Sequence, residues 1–133
     1  MIQFLLDTNI CVYIIKRAPK QVQARFEKLE LGQGGISAIT HCELEFGVSK
    51  SSRPDQNRDA LNAFLAPLEV LDFPTAAAPV YGQIRNHLQT SGRPIGSLDL
   101  LIAAHARFLG TTLVTNNTAE FARVPDLKVE NWV

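Results

Sequence analysis

The sequence has no surplus of charge of either sign and no long hydrophobic run. Its 133 residues include 13 Lys and Arg against 13 Asp and Glu, which gives a formal net charge of 0. A neutral chain is not a generic polycationic nucleic-acid binder, and it lacks the polybasic segment that binds a membrane surface. The apolar runs fall far short of the roughly 18 residues of a transmembrane helix, and Met1 to Gln3 lack the basic start of a signal peptide. We therefore expect a cytoplasmic protein with no membrane partner.

Cysteine and histidine are scarce and form no recognisable motif. Cys11 and Cys42 lack a Cys-x-x-Cys spacing and nearby paired histidines, which predicts two small buried hydrophobic side chains rather than a disulfide or a zinc site. His41, His87 and His105 also lack a metal-ligand spacing. We interpret His87 as a surface residue, and His105 as filler within a helix or a hydrogen-bond donor behind other ligands. Glycine-rich phosphate loops and a Gly-x-Ser-x-Gly elbow are absent as well.

Short apolar segments alternate with segments of helical periodicity along the whole chain. The predicted strands are 2–6, 35–37, 70–73, 111–115 and 127–132, with one or two helices between successive strands. This order predicts a single α/β domain over residues 1–133, in which helices cover both faces of a mainly parallel sheet of four or five strands. In such sheets, ligands bind beyond the carboxyl ends of the strands.

Asp7 follows the first predicted strand immediately, at the carboxyl edge of the sheet. An Asp at a junction between a strand and a helix is often only a helix cap. Thr8 and Asn9 can also serve as caps, so capping by itself does not require Asp7. Its position makes Asp7 a candidate functional residue.

A helix beginning at Ala38 places Glu43 on or beside its apolar face. Three residues are predicted to form that buried face: Ile39, Cys42 and Phe46. A carboxylate on an inward face is unfavourable unless it is paired, protonated or bound to a metal. Glu45 points nearly opposite, towards water. Glu43 is therefore a candidate metal ligand, the alternatives being a boundary residue that reaches solvent or an ion pair with a basic side chain.

Asp99 is the single acid in a predicted helix over residues 97–109 that is apolar nearly all round. With Ser97 as the predicted N-cap, Asp99 lies in the first turn, where the helix dipole favours an acid. The dipole explains the residue type but not the apolar setting. Asp99 is therefore a further candidate ligand.

Three acids at one sheet edge would repel each other at neutral pH unless a divalent cation joined them. Hard cations such as Mg²⁺ and Mn²⁺ take oxygen ligands, polarise a phosphoryl oxygen and lower the pKa of a bound water. The pattern favours metal-dependent phosphodiester hydrolysis by Asp7, Glu43 and Asp99.

Four motifs occur in order along the chain: Leu5-Leu6-Asp7-Thr8-Asn9, Thr40-x-x-Glu43-x-x-x-Gly47, Ile95-Gly96-x-x-Asp99-x-x-Ile102-Ala103-Ala104-His105-Ala106, and Leu113-Val114-Thr115-Asn116-Asn117-x-x-x-Phe121. Together they resemble the PIN-domain ribonucleases, and more narrowly the VapC toxins of bacterial VapBC toxin–antitoxin pairs. The resemblance spans the whole chain. It implies a PIN-like three-layer α/β/α fold and a Mg²⁺-dependent endoribonuclease whose metal site carries over to Asp7, Glu43 and Asp99.

The resemblance also implies partners. Similar toxins cut structured RNA, commonly tRNA near the anticodon, and thereby stop translation. They typically dimerise and are neutralised by a VapB-type antitoxin, a segment of which occupies the toxin groove. We accordingly expect a homodimer or a toxin–antitoxin hetero-oligomer, which contacts operator DNA only through the antitoxin.

One departure from the family pattern concerns the fourth acid. Many PIN domains have Thr-x-Asp after the fourth strand, where this chain has Asn117. Glu120, about one helical turn further on, is predicted to replace it as a weaker catalytic ligand for a second metal, with Asn117 as another weak ligand. Four neighbouring residues are predicted to support the ligands or to orient water: Thr8, Asn9, Thr115 and Asn116.

Two basic groups are candidate RNA contacts. Lys16 and Arg17 follow the first acid, and Arg85 and Arg93 precede Asp99. Such residues position an RNA backbone without reading its sequence, although surface Lys and Arg are often simply solvated. Two other functions stay open: a PIN-type RNA-processing nuclease, and a non-catalytic module whose acids pair with a basic partner segment.

Overall fold

The computed structural model describes residues 2–133. In this range, five strands form one sheet in the order β3-β2-β1-β4-β5, and every neighbouring pair is parallel. The strands are β1 (Phe4–Leu6), β2 (Gly34–Ser37), β3 (Glu69–Leu71), β4 (Thr112–Val114) and β5 (Lys128–Glu130). The predicted α/β class and parallel sheet are confirmed, with most strands shorter than the apolar runs suggested.

Helices cover both faces of the sheet. They are α1 (Thr8–Lys16), α2 (Lys20–Glu27), α3 (Ala38–Ser49), α4 (Pro54–Leu65), α5 (Ala78–Thr90), α6 (Ser97–Leu109) and α7 (Thr118–Phe121). A short 3-10 turn (Thr75–Ala77) leads into α5. Across residues 2–133, no helix combines the length and the apolar character needed to span a membrane.

The sheet separates two hydrophobic clusters, and β1 contributes to both. Leu6 packs with Ile10 of α1 in one cluster, whereas Leu5 packs with Ile84 of α5 and Ile102 of α6 in the other. Successive side chains of a strand point to opposite faces, so adjacent leucines fill both layers. All five side chains are fully buried, and burial of each stabilises the fold by roughly 1.5–3 kcal/mol.

Gly35 lets β2 lie against β3. A Cβ at this position would stand 2.9 Å from the carbonyl oxygen of Glu69, closer than atoms can approach without a shift of the backbone. The resulting register pairs Gly35 with Glu69 and Ser37 with Leu71. Glycine at this point therefore permits the close pairing of β2 with β3.

The buried face of α3 differs from the prediction. Ile39 is half-buried, Cys42 is exposed and Phe46 is 65% exposed, so the predicted inward face is wrong. The predicted burial is confirmed for Cys11 and wrong for Cys42. The buried side chains are Thr40, Leu44 and Val48. Leu44 and Val48 pack with residues of α1 and α4, and they line a surface groove together with Ile39, Cys42 and Phe46.

The parallel arrangement brings the ends of three strands to one edge of the sheet. β1 ends just before Asp7, β2 ends at Ser37, and β4 ends just before Thr115. α1 and α3 begin directly at this edge, and the N-terminus of α6 joins it. Every acid singled out in the sequence lies on one of these segments or on α7.

A candidate active site at the carboxyl edge of the sheet

Asp7 stands at the centre of the edge. It is the N-cap of α1, where its Oδ1 accepts from the backbone N–H of Thr8 at 2.8 Å, so neither Thr8 nor Asn9 takes that role. Its Oδ2 accepts from the Thr115 hydroxyl at 2.7 Å. Burial raises the pKa of Asp7, the two hydrogen bonds oppose that rise, and the charges of Glu43 and Glu120 add to it. Capping occupies one carboxylate oxygen, and the other faces the end of β4.

Glu43 reaches the same edge from α3. Its side chain is half-buried, and Oε1 accepts from the Thr8 hydroxyl at 2.6 Å. The Thr40 hydroxyl lies 3.3 Å from that of Thr8. Thr8 is therefore a direct link between the first turn of α1, beside Asp7, and the carboxylate of α3. The partner of Glu43 is a hydroxyl rather than the basic side chain considered as an alternative.

Asp99 enters from α6, on the other layer of helices. Gly96 occupies the N-cap position, so the predicted cap at Ser97 is displaced by one residue. The pKa of Asp99 is raised to about 7, first by burial and then by the charges of Asp7, Glu120 and Glu43. Near neutral pH this carboxyl therefore holds a proton readily.

Glu120 comes from α7 and joins the group through Gly96. Its Oε1 accepts from the Gly96 N–H at 3.0 Å, and its Oε2 accepts from the side-chain amide of Asn117 at 2.5 Å. The Gly96 bond is the largest cause that lowers the pKa of Glu120, and the Asn117 bond and the neighbouring Asp99 lower it further. The pKa values of Asp99 and Glu120 are therefore shifted in opposite directions.

We call Asp7, Glu43, Asp99 and Glu120 the acidic cluster. The four carboxylates come from four separate segments, and charge on Asp7, Glu43 and Glu120 raises the pKa of Asp99. Carboxylate oxygens are the ligands that hard divalent cations prefer. Burial first, and repulsion between the carboxylates second, raise the pKa of Asp7 and of Asp99, and a bound cation would offset both effects. This donor set is chemically suited to a divalent cation. Within residues 2–133, however, no three acidic, histidine or cysteine side chains form a preassembled metal cage.

The supporting residues predicted from the sequence have different surroundings. Thr8 and Thr115 bind members of the acidic cluster directly. Asn116 instead donates to the hydroxyl of Tyr13 at 2.9 Å, which anchors the loop after β4 to α1. Asn9 lies exposed in the first turn of α1. Two of the four predicted supporting residues thus contact the carboxylates.

The predicted RNA contacts are all exposed, at different distances from the cluster. Lys16 and Arg17 lie at the far end of α1, about 12 Å along the helix from Thr8. Arg85 donates to the hydroxyl of Tyr81 at 3.0 Å, and Arg93 lies in the loop before Gly96. Arg93 is therefore the nearest of the four in sequence to an element of the cluster.

An apolar groove of about 950 Å³ borders the acidic cluster, and its lining includes Glu43 of the cluster and Thr8, which donates to Glu43. Its main apolar walls are Val12, Ile15, Ile39, Phe46, Leu61 and Leu98. Lys16 and Lys50 also line it, and Lys50 lies 5.1 Å from the centre of the Phe46 ring. The helical period of Ile39, Cys42 and Phe46 identified this row in the sequence but not that it faces outward.

Sequence reasoning did not single out Ser37 and Tyr13, and left His105 undecided between two roles. Ser37 caps α3, with its hydroxyl oxygen accepting from the Ile39 N–H at 3.1 Å, and it also lies 2.8 Å from His105 Nδ1. A serine directly before a helical pattern is a cap signal, so Ser37 was accessible from the sequence. Its pairing with His105 depends on tertiary packing and was not.

Comparisons with known proteins identify the family. Residues 4–127 match the model of the PIN domain. The tRNA(fMet)-specific endonuclease VapC of Shigella flexneri is 46% identical over 132 residues, covering 99% of this chain and 99% of that protein. The chain belongs to the VapC family of PIN-domain ribonucleases.

Solved VapBC structures share the VapC fold described above. The crystal structure of VapBC2 from Rickettsia felis bound to a DNA fragment from their promoter matches at 45% identity with a TM-score of 0.93. That of DNA-bound VapBC from Salmonella typhimurium matches at 43% identity with a TM-score of 0.94, and each match covers 100% of both chains. As a VapC-family protein, the chain is an endoribonuclease toxin of a VapBC toxin–antitoxin system, and those predictions are confirmed.

Proposed function

We propose that this VapC-family ribonuclease cleaves a structured RNA, a tRNA near its anticodon, with Mg²⁺ held by Asp7, Glu43 and Asp99. Mn²⁺ is an alternative cation. The observation that supports this most directly is the meeting of these carboxylates, with Glu120, at one sheet edge. Glu120 is proposed as a weaker ligand and Asn117 as the residue that orients it, because its amide nitrogen faces Glu120.

Hydrogen bonds fix the orientation of two of the carboxylates that would hold the cation. Thr115 and the Thr8 backbone fix both oxygens of Asp7, and the Thr8 hydroxyl fixes Glu43. A bound divalent cation supplies positive charge to the scissile phosphate and makes water a stronger nucleophile. Asp99, whose pKa is raised to about 7 without metal, would release its proton on becoming a ligand of the cation.

Arg85 and Arg93 are proposed to hold phosphates that flank the scissile bond. Both lie exposed on segments leading into α6, on the side of the molecule from which Asp99 enters. Lys16 and Arg17, at the far end of α1, are proposed as more distant RNA contacts. Since relatives at 43–46% identity are named tRNA(fMet)-specific endonucleases, tRNA(fMet) is the first substrate to test.

The apolar groove is the proposed binding site of the VapB-type antitoxin. It is continuous with the acidic cluster, exposes Phe46 at 65%, and carries two lysines. An amphipathic segment with acidic flanks suits such a surface, and its occupation would cover Glu43. The toxin is proposed to form a homodimer or a toxin–antitoxin hetero-oligomer. Operator DNA is then bound only through the antitoxin. Residues 1–133 are proposed to form one PIN domain.

The test is cleavage of tRNA(fMet) and total bacterial RNA by antitoxin-free protein with Mg²⁺ or with EDTA. Asp7→Asn and Asp99→Asn are compared with Asp59→Asn, an exposed acid of α4 that serves as the matched control. Mg²⁺-dependent cleavage by wild type and Asp59→Asn, with none by the other two, supports the proposal. Equal cleavage by all four proteins contradicts it.

The same assay separates the two alternatives. A processing nuclease would trim precursor RNA in preference to mature tRNA. A binding module would bind its partner without cleaving any RNA under either condition.

A further inference from the structure

A buried hydrogen bond joins the helix that carries Asp99 to the helix that carries Glu43. His105 lies on α6 and is 1% exposed, and Ser37 is fully buried at the start of α3. His105 Nδ1 and Ser37 Oγ are 2.8 Å apart. Ser37 precedes Glu43 by six residues, and His105 follows Asp99 by six residues. Each pair is therefore separated by about 9 Å along its helix. The hydrogen bond lies at a similar distance from both carboxylates.

The hydrogen bond can form without ionisation of the histidine. Burial lowers the pKa of His105, so the imidazole is neutral at pH 7. Ser37 Oγ already accepts from the Ile39 N–H, which leaves the hydroxyl proton free to be donated to Nδ1. The bond thus joins three parts: the His105 ring, the Ser37 side chain and the first turn of α3.

A space-filling role does not account for a histidine at this position. Its Nε2 is buried and has no hydrogen-bond partner among residues 2–133, and the ring packs edge-on with Phe73. A buried polar atom without a partner destabilises the fold, so an apolar side chain of similar size would be the better filler. The polar atom that His105 does use is Nδ1, towards Ser37.

We propose that His105 is a positioning residue that fixes the separation of α3 and α6, so that Glu43 and Asp99 are held ready to share a divalent cation. The inference rests on the proposed function, in which these two carboxylates are metal ligands. Their charges repel each other, which favours separation of the two helix ends. The bond between His105 and Ser37 opposes that separation from inside the core, where water does not compete for it.

Other contacts already hold the remaining members of the cluster. Thr8 joins Glu43 to the end of β1, and Glu120 joins α7 to the residue before α6. The His105–Ser37 bond adds a link between α6 and the junction of β2 and α3, where Ser37 caps α3.

Two substitutions of His105 separate positioning from packing. In His105→Asn, the side-chain amide can place either its oxygen or its nitrogen where Nδ1 lies, and so can keep the bond to Ser37. In His105→Gln, the amide reaches the position of Nε2, which has no partner here. Both replacements are polar amides, so a difference between them reports on the Ser37 bond.

The experiment measures Mn²⁺ affinity by titration of antitoxin-free protein, together with kcat and KM for RNA cleavage. We expect His105→Gln to weaken Mn²⁺ binding about tenfold, as loss of a group that orients metal ligands does, and to lower kcat at limiting Mn²⁺ with KM unchanged. His105→Asn is expected to stay within about threefold of wild type. Ser37→Ala should resemble His105→Gln, and the double variant should be no worse than either.

Thermal melting in EDTA checks that each variant is folded. If His105→Gln does not fold, Ser37→Ala alone provides the test. Wild-type Mn²⁺ affinity in a folded His105→Gln or Ser37→Ala variant overturns the inference, as does equal loss in His105→Asn and His105→Gln. Asp99→Asn is titrated in parallel. If Asp99→Asn keeps its Mn²⁺ binding, the proposed metal site is wrong. If Asp99→Asn loses Mn²⁺ binding while His105→Gln binds like wild type, only the role of His105 is wrong.

Discussion

The acidic cluster and the apolar groove lie side by side and share Glu43, yet their side chains have contrasting surroundings. In the cluster, the carboxylates are wholly or partly buried, and their hydrogen bonds come from hydroxyls, backbone N–H groups and the side-chain amide of Asn117. In the groove, apolar side chains such as Phe46 and Leu98 are 65% and 47% exposed. One region lacks positive charge and the other lacks apolar contact.

This difference indicates that the two regions bind different partners. Concentrated negative charge at a sheet edge is relieved by a cation, and exposed apolar surface is relieved by another polypeptide. Because Glu43 belongs to both regions, occupation of the groove by an antitoxin would also restrict access to the cluster. Substitutions that affect only one region test whether the division is real.

The largest effect is expected from Asp7→Asn in the cluster. Loss of this buried carboxylate removes a proposed metal ligand, which we expect to lower the rate of RNA cleavage about 10³-fold, the equivalent of roughly 4 kcal/mol of lost transition-state stabilisation. Antitoxin affinity should change little, as measured by calorimetry. Cleavage within about tenfold of wild type would show that Asp7 serves mainly as the N-cap of α1.

Phe46→Asp should have the opposite profile. A charged side chain in place of an exposed aromatic anchor is expected to weaken antitoxin binding by about 100-fold, while RNA cleavage by the free toxin stays unchanged. Phe108→Asp is the matched control, because Phe108 is also partly exposed but lies outside the groove. If the two variants bind antitoxin equally well, the groove is not the antitoxin-binding site.

A smaller effect is expected from Glu120→Gln. The glutamine keeps an oxygen for the Gly96 N–H but loses the negative charge, so cleavage should fall about tenfold with a matching loss of Mg²⁺ affinity. Glu27→Gln, at the exposed end of α2, is the control. Unchanged rate and affinity would leave Glu120 as a residue that only positions the loop before α6.

The smallest effect concerns the pH dependence of stability without metal. The pKa of Asp99 is raised from 3.8 to about 7, so its proton favours the folded state below pH 3.8, and this contribution is lost as the pH rises to 7. Asp99→Asn removes the dependence. Removal of the charge should raise the free energy of unfolding at pH 8 by roughly 1 kcal/mol, because solvent screens a half-exposed group. In EDTA the variant should then melt about 3 °C above wild type.

The melting temperatures of the two proteins should be closer near pH 4.5. Asp99 is then protonated in the folded protein, so its charge no longer destabilises the fold there. Mg²⁺ should stabilise wild type more at pH 8 than at pH 6. A constant difference in melting temperature across this pH range would mean that Asp99 is not the titrating group.

Local patterns in the sequence predicted much of the fold and the members of the cluster. Asp7 directly follows an apolar run, and Asp99 lies in the first turn of an apolar helix, so parallel topology alone brings both to one edge. Glu43 was found for a partly mistaken reason. Ile39, Cys42 and Phe46 share a helix face with it, but that face borders the groove, because α1 and α4 pack against Leu44 and Val48 instead.

The sequence by itself determined the order of strands and helices, the parallel sheet and the residue types available for metal chemistry. Periodicity and capping depend on residues a few positions apart, which explains why they can be read along the chain. Only the tertiary structure decided which apolar face of α3 stays exposed, that Glu120 binds the N–H of Gly96, and that His105 meets Ser37. These contacts join residues from separate elements, and their partners are set by how the helices pack on the two faces of the sheet.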